Sequence, residues 1–143
     1  MKRSPLVVVG SGVTVRLVPD CFLDIRQRST NRSLVLLLEH DRGTEQQEHF
    51  RRRIRVYKTF LASETYKQLL NAERVTVAFT TFISSKRVTQ MREWTKAELQ
   101  AEPQLANMFI FAELPKPLEP RNLLFERRWH TLTNDQPIDL LGE

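Results

Sequence analysis

Five consecutive apolar residues, Leu34-Val35-Leu36-Leu37-Leu38, run directly into Glu39-His40-Asp41-Arg42-Gly43. An unbroken apolar run needs cover on both faces, so it reads as a strand inside a covered sheet. Side chains alternate along a strand. Val35, Leu37, Glu39 and Asp41 therefore share one side, and Leu34, Leu36, Leu38 and His40 share the other. Two carboxylates emerge together where this strand surfaces. As structural groups they cost little there; as functional ones they are well placed to hold a divalent metal.

The flanking sequence places this strand in an α/β order. Leu6 to Val9 and Val13 to Val18, joined through Gly10-Ser11-Gly12, read as a hairpin or two short strands. Pro19-Asp20 interrupts the second run, and Cys21 to Ile25 continues as extended chain into a turn at Ser29-Thr30-Asn31. Thr44 and Gln47 fit a capping box, which starts a helix near Glu45. Phe50, Ile54, Tyr57 and Leu61 give that helix one buried face, and it extends toward Leu70 with a break near Ser63. Val75 to Phe82 reads as a strand, and Ser84 or Ser85 caps a second helix with Val88, Met91 and Trp94 or Thr95 inward. Met108 to Leu114 is a further strand, stopped by Pro115, Pro117 and Pro120. A strand, helix, strand order implies parallel pairing, and the early hairpin adds antiparallel strands. The expectation is a single α/β domain over 1–143 with a mixed central sheet, a core over about 13–114 and a C-terminal extension over 115–143.

Three carboxylates, Asp20, Glu39 and Asp41, are brought close if the two strands carrying them are adjacent. Crowded carboxylates raise one another's pKa and are relieved by a bound cation. Magnesium prefers such oxygen ligands and could activate water beside a phosphodiester. The bland alternative is that Asp20 and Asp41 shape turns. On the following helix, Arg51, Arg55 and Lys58 form an outward basic stripe, suited to phosphates or simply to solvent. Arg53 differs, because it falls between Phe60 and Tyr57 in the apolar sector. An inward cation needs a partner, for which Glu39, Asp41 and Asp20 are the candidates, or its head must reach back to water. Gly10-Ser11-Gly12 lacks the following helix of a dinucleotide fingerprint, and His40, His49 and His130 show no metal-ligand spacing with Cys21.

Where the charge sits matters more than its total. Lys and Arg number 22 against 17 acids, a net charge of +5 that permits a polyanionic partner without requiring one. The single cysteine, Cys21, excludes an internal disulfide and suits a reducing compartment, so a cytoplasmic setting is expected. No signal peptide or membrane span is expected, since the first apolar stretch is short and broken by glycines.

Pro19-Asp20, Leu38-Glu39-His40-Asp41 and a helix with an inward cation together resemble the PD-(D/E)xK nuclease superfamily. More narrowly, Leu38 to Glu45 followed by Phe50 to Tyr57 is similar to the replication-relaxation family of plasmid and mobile-element proteins. The strand Val75 to Thr81, Arg87 in the next helix and Met108 to Phe111 extend the likeness. The resemblance implies a restriction-endonuclease-like three-layer core flanked by helices, with DNA and other replication or mobilisation proteins as partners. Carried over by position, it makes Asp20 and Glu39 the metal-binding acids for Mg2+, with Asp41 where the short motif has lysine and Arg53 where relatives place the helix cation. Arginine stays protonated and cannot act as a base, though it can neutralise transition-state charge. Two functions follow: metal-dependent DNA cleavage through Asp20, Glu39, Asp41 and Arg53, or a silent DNA-binding or relaxosome-assembly module. In both, Arg51, Arg55 and Lys58 touch the DNA backbone.

Overall fold

The computed structural model describes residues 6–10, 13–72 and 74–140. The apolar run lies in β4 (Arg32–Asp41), paired antiparallel with β3 (Cys21–Gln27) and parallel with β5 (Thr76–Thr81). β5 pairs in parallel with β6 (Phe109–Glu113), which carries the short antiparallel β7 (His130–Thr131) at its other edge. The sheet order is therefore β3-β4-β5-β6-β7, mixed as expected. Ahead of it, β1 (Leu6–Gly10) and β2 (Val13–Leu17) form a separate antiparallel pair. Ser11 and Gly12 of the expected turn lie outside the described residues.

Strand alternation decides what each face of the sheet meets. On one face Val35 and Leu37 of β4, Val77 and Phe79 of β5, and Phe109 and Phe111 of β6 form the larger core. Against them lie α1 (Gln47–Ala62) through Phe50, Ile54, Tyr57 and Phe60, and α3 (Ser85–Glu98) through Val88 and Met91. Phe79 is the hub, stacked on Phe111 at 5.7 Å between ring centroids and edge-on to Tyr57 at 6.2 Å. Such offset and edge contacts add about 0.5–1.5 kcal/mol each beyond area burial.

On the opposite face Leu36, Ala78, Ile110 and Ala112 are covered by Trp129, Leu123 and Leu140. This cover comes from the proline-bounded C-terminal segment, which contains only the short α4 (Pro120–Leu124). Both longer helices thus lie on one side. The layer expected to be helical on the other side is mostly irregular chain pinned by one buried indole.

Local signals behave as their physics requires, with one exception. Ser84 caps α3, its hydroxyl accepting from Arg87 N–H at 3.1 Å. The expected break after α1 falls at Ser63 and Glu64, where Glu64 turns to φ 58° before α2 (Tyr66–Leu69). The capping box at Thr44 does not form: α1 starts at Gln47, and its N-cap Gln46 makes no side-chain cap bond. Among the described residues no helix is long and apolar enough to cross a membrane.

Candidate functional site

The C-terminal end of β4 opens into a polar cleft of about 810 Å³, bounded by Asp20, Glu39, Asp41, Glu45 and Arg53. Register explains the meeting of the first two. Cys21 pairs with Leu38, so Asp20 arrives beside the end of β4, where its carboxylate accepts from His40 N–H at 2.9 Å.

Glu39 points toward α1, because it shares the face of Val35 and Leu37. There its carboxylate accepts from Tyr57 Oη at 2.6 Å and from Arg53 Nη2 at 2.5 Å. Arg53 spans two acids, donating through Nη1 to Glu45 at 2.6 Å while its guanidinium lies over the Phe79 ring. Burial pushes the Glu39 pKa up; the Tyr57 hydroxyl and Arg53 pull against that, Asp20 adds to it, and the balance stays raised. Burial first, and Glu39 after it, push the Tyr57 pKa up, and against burial Glu39 and Glu45 raise that of Arg53, so both groups stay protonated. The inward cation thus has its partner, and Glu39 was among those the helix wheel offered.

Asp41 has the opposite balance. Arg87 grips it with two bonds, Nε to Oδ2 at 2.7 Å and Nη2 to Oδ1 at 2.9 Å, and donates a third to Glu45 O. Burial raises the Asp41 pKa, but the Arg87 hydrogen bonds and charge, with Gly43 N–H, outweigh it, and the pKa is lowered. The Asp-Arg-Gly string is therefore a turn with a structural purpose. Asp41 Oδ2 accepts from Gly43 N–H at 3.1 Å, Gly43 sits at φ 80°, and a Cβ there would lie 2.8 Å from Ile83 Cγ1. Arg87 also stacks over Trp94, 5.0 Å from its ring centroid.

The carboxylates as arranged do not fit a magnesium centre. Among the described residues no group of three or more His, Cys, Asp and Glu side chains is placed to hold a metal ion. Asp20, Glu39 and Asp41 line one cleft, but their acceptor positions are largely engaged by protein donors. Both Asp41 oxygens face Arg87, and both Glu39 oxygens already accept from Tyr57 and Arg53.

The basic stripe also differs from its expectation as a free outward face. Arg51 pairs with Glu98 at 2.7 Å, Arg55 with Glu48 at 2.8 Å and Glu98 at 3.4 Å, and Lys58 with Glu102 at 3.0 Å. Glu98 ends α3, so the stripe clasps the two helices together, with Lys58 also donating to Glu98 O. Sequence spacing shows which helix face is basic but not which acids a distant helix end brings to it. Because Glu98 is nearly buried and serves two arginines, Glu98→Gln is expected to cost about 1–2 kcal/mol of stability in a urea titration. A loss below about 0.3 kcal/mol would class the clasp with ordinary surface pairs.

Two site residues escaped sequence reasoning in their roles. Arg87 was noted only for its resemblance, although its position three residues after a serine cap fixes it at the α3 start, facing the β4 end. Glu45 belongs to the string that carries the family resemblance, but its pairing with Arg53 depends on how the chain turns after Gly43 and has no sequence signal.

Fold and site together define an α/β domain whose acidic cleft is clamped by two arginines, one from each packed helix. The chain belongs to the replication-relaxation family, whose model matches residues 4–76. That match takes in Asp20, Glu39, Asp41 and Arg53, while Arg87 and Trp129 lie beyond it. Comparison with curated proteins and with solved structures gives no match.

Proposed function

We propose that this chain is a DNA-binding module in plasmid or mobile-element replication or mobilisation, built on a nuclease-like fold and silent in cleavage. Family membership supports the replication setting, and the net charge of +5 suits a polyanionic partner. The observation that carries the silent reading is the closed state of the acids. Asp41 is held in a two-pronged pair by Arg87, and Glu39 is spanned by Tyr57 and Arg53. A carboxylate already satisfied by cations has little to gain from a metal, because binding must first break those charge-assisted bonds. Neither arginine can take a proton from water at neutral pH. The cleft then serves as a rigid anchor between β4, α1 and α3, and partner proteins of the same replication or mobilisation system would dock on the domain around it.

A second reading, magnesium-dependent cleavage, has one observation in its favour: Asp20 and Glu39 line the same open cleft, and the Asp20 charge is felt at Glu39. Calorimetric titration of magnesium and manganese into the folded chain separates the two. The silent module is expected to show no saturable heat, with Glu39→Gln indistinguishable from the parent. Saturable binding abolished by Glu39→Gln would move the assignment to a nuclease. The amide retains an acceptor for Tyr57, so folding of the variant is expected. The DNA-binding half of the proposal requires duplex affinity that falls steeply as salt rises, since each phosphate contact releases counterions.

A further inference from the structure

A second concavity, of about 300 Å³, lies along α3 on the side away from the acidic cleft's arginines, between Ser85, Thr89 and Arg92 and the chain leading into β7. Three arginines converge on it, and their charges are only partly answered. Arg92 donates through Nε to Thr131 O at 3.0 Å and through Nη2 to Asn134 O at 3.5 Å, both neutral acceptors. Arg127 is largely exposed and has Asp139 at a loose 3.8 Å. Arg128 pairs through Nη2 with Glu126, but its Nε is buried and has no hydrogen-bond partner among the described residues. His130 Nδ1 is in the same position. Glu113 is the one carboxylate in the lining.

Buried donors without acceptors are costly and are rarely left so. Arg92, whose contacts are neutral carbonyls, lies beside the unsatisfied Nε–H of Arg128, and together they call for an anion with several acceptor oxygens. Arginine forks match phosphate oxygens, and the Ser85 hydroxyl supplies a further neutral donor, while that of Thr89 donates to Ser85 O at 3.2 Å. The open mouth at Arg127 suits a group carried on a long polymer.

We infer that this groove holds a backbone phosphate of DNA, gripped by Arg92, Arg127 and Arg128 with His130 at its floor. The inference rests on the DNA-binding reading above and moves the contact surface from the α1 stripe to the α3 and β7 side.

The test uses the full 143-residue chain and a fluorescein-labelled duplex of about 30 base pairs, followed by anisotropy from about 50 to 200 mM salt. Arg127→Gln/Arg128→Gln is the test variant; Arg92 is spared because it ties α3 to β7. The expected result is about tenfold weaker binding and a salt slope shallower by about 1–2. A charge-matched control, Arg52→Gln/Lys96→Gln, is expected to stay within about threefold of the parent. Equal losses in both variants would reduce the effect to overall charge and overturn the groove, as would unchanged binding in the test variant; the DNA-binding reading survives either result. No duplex binding by the parent would sink both. Histidine-detected NMR adds a positional readout: the His130 signal is expected to move with duplex. If it moves with inorganic phosphate and not with duplex, the groove takes a free phosphate and the DNA assignment falls.

Discussion

Arg87→Gln is expected to lower the unfolding free energy by about 3–5 kcal/mol, because it strands a buried carboxylate without its counter-charge. Asp41 is fully buried at its side chain and Arg87 nearly so. Removing the guanidinium deletes both bonds to the carboxylate, the bond to Glu45 O and the stacking over Trp94. The pH dependence has a definite sign. The folded Asp41 pKa lies below its ordinary 3.8, so in the parent the pair stabilises above that value and its contribution fades as pH falls through the lowered one. In Arg87→Gln only the Gly43 N–H and the Arg53 charge still oppose burial, so the Asp41 pKa is expected to rise and the stability that the ionised pair adds toward neutral pH is lost. The gap between parent and variant is thus expected to widen from acid to neutral pH. Urea titrations across that range measure it. Adding Asp41→Asn to Arg87→Gln is expected to recover part of the loss, since a neutral amide tolerates burial better than an unpaired charge. A single-variant loss under about 1 kcal/mol would show that solvent reaches Asp41 and that the pair is not the anchor proposed.

Trp129→Ala is expected to cost about 3–5 kcal/mol, the range for emptying a large buried aromatic site. Its indole is fully buried against the second sheet face and donates from Nε1 to Leu123 O at 2.8 Å. Its backbone is paired in both directions with Ile138, so the residue holds two parts of the tail at once. Circular dichroism in urea reports the stability loss, and trypsin should cut faster at Arg121, Arg127 and Arg128 in the variant. Trp129→Phe keeps most of the apolar contact but orphans Leu123 O, for an expected cost of about 1–3 kcal/mol. An unchanged midpoint in Trp129→Ala would mean that the segment after Leu114 contributes nothing to the core.

The parts of this molecule legible in the sequence are those governed by local periodicity. The Leu34 to Leu38 run declared a covered strand, and its alternation put Glu39 and Asp41 on one side and His40 on the other; the structure adds that the first side faces the helices. The heptad-like spacing of Phe50, Ile54 and Tyr57 showed the buried face of α1, and the same wheel exposed Arg53 as a cation in need of an acid or of a path to water. Ser84 or Ser85 announced α3 through a cap, an interaction spanning only three residues, and the structure sets it at Ser84.

What tertiary structure alone decided is which charges meet, because long-range pairing leaves no periodic trace. Glu39 and Asp41 sit two residues apart on one strand face, yet one is spanned by a tyrosine and an arginine from α1 while the other is gripped by an arginine from α3. Their pKa values consequently move in opposite directions. The stripe of Arg51, Arg55 and Lys58 became a clasp because the end of α3 carries Glu98 to it. The tail, with no period to read, found its place through a single indole filling the second sheet face. Sequence by itself determined a mixed α/β sheet with acids at the mouth of one of its covered strands. Packing determined that those acids are closed, since only the folded chain brings an arginine within hydrogen-bonding reach of each.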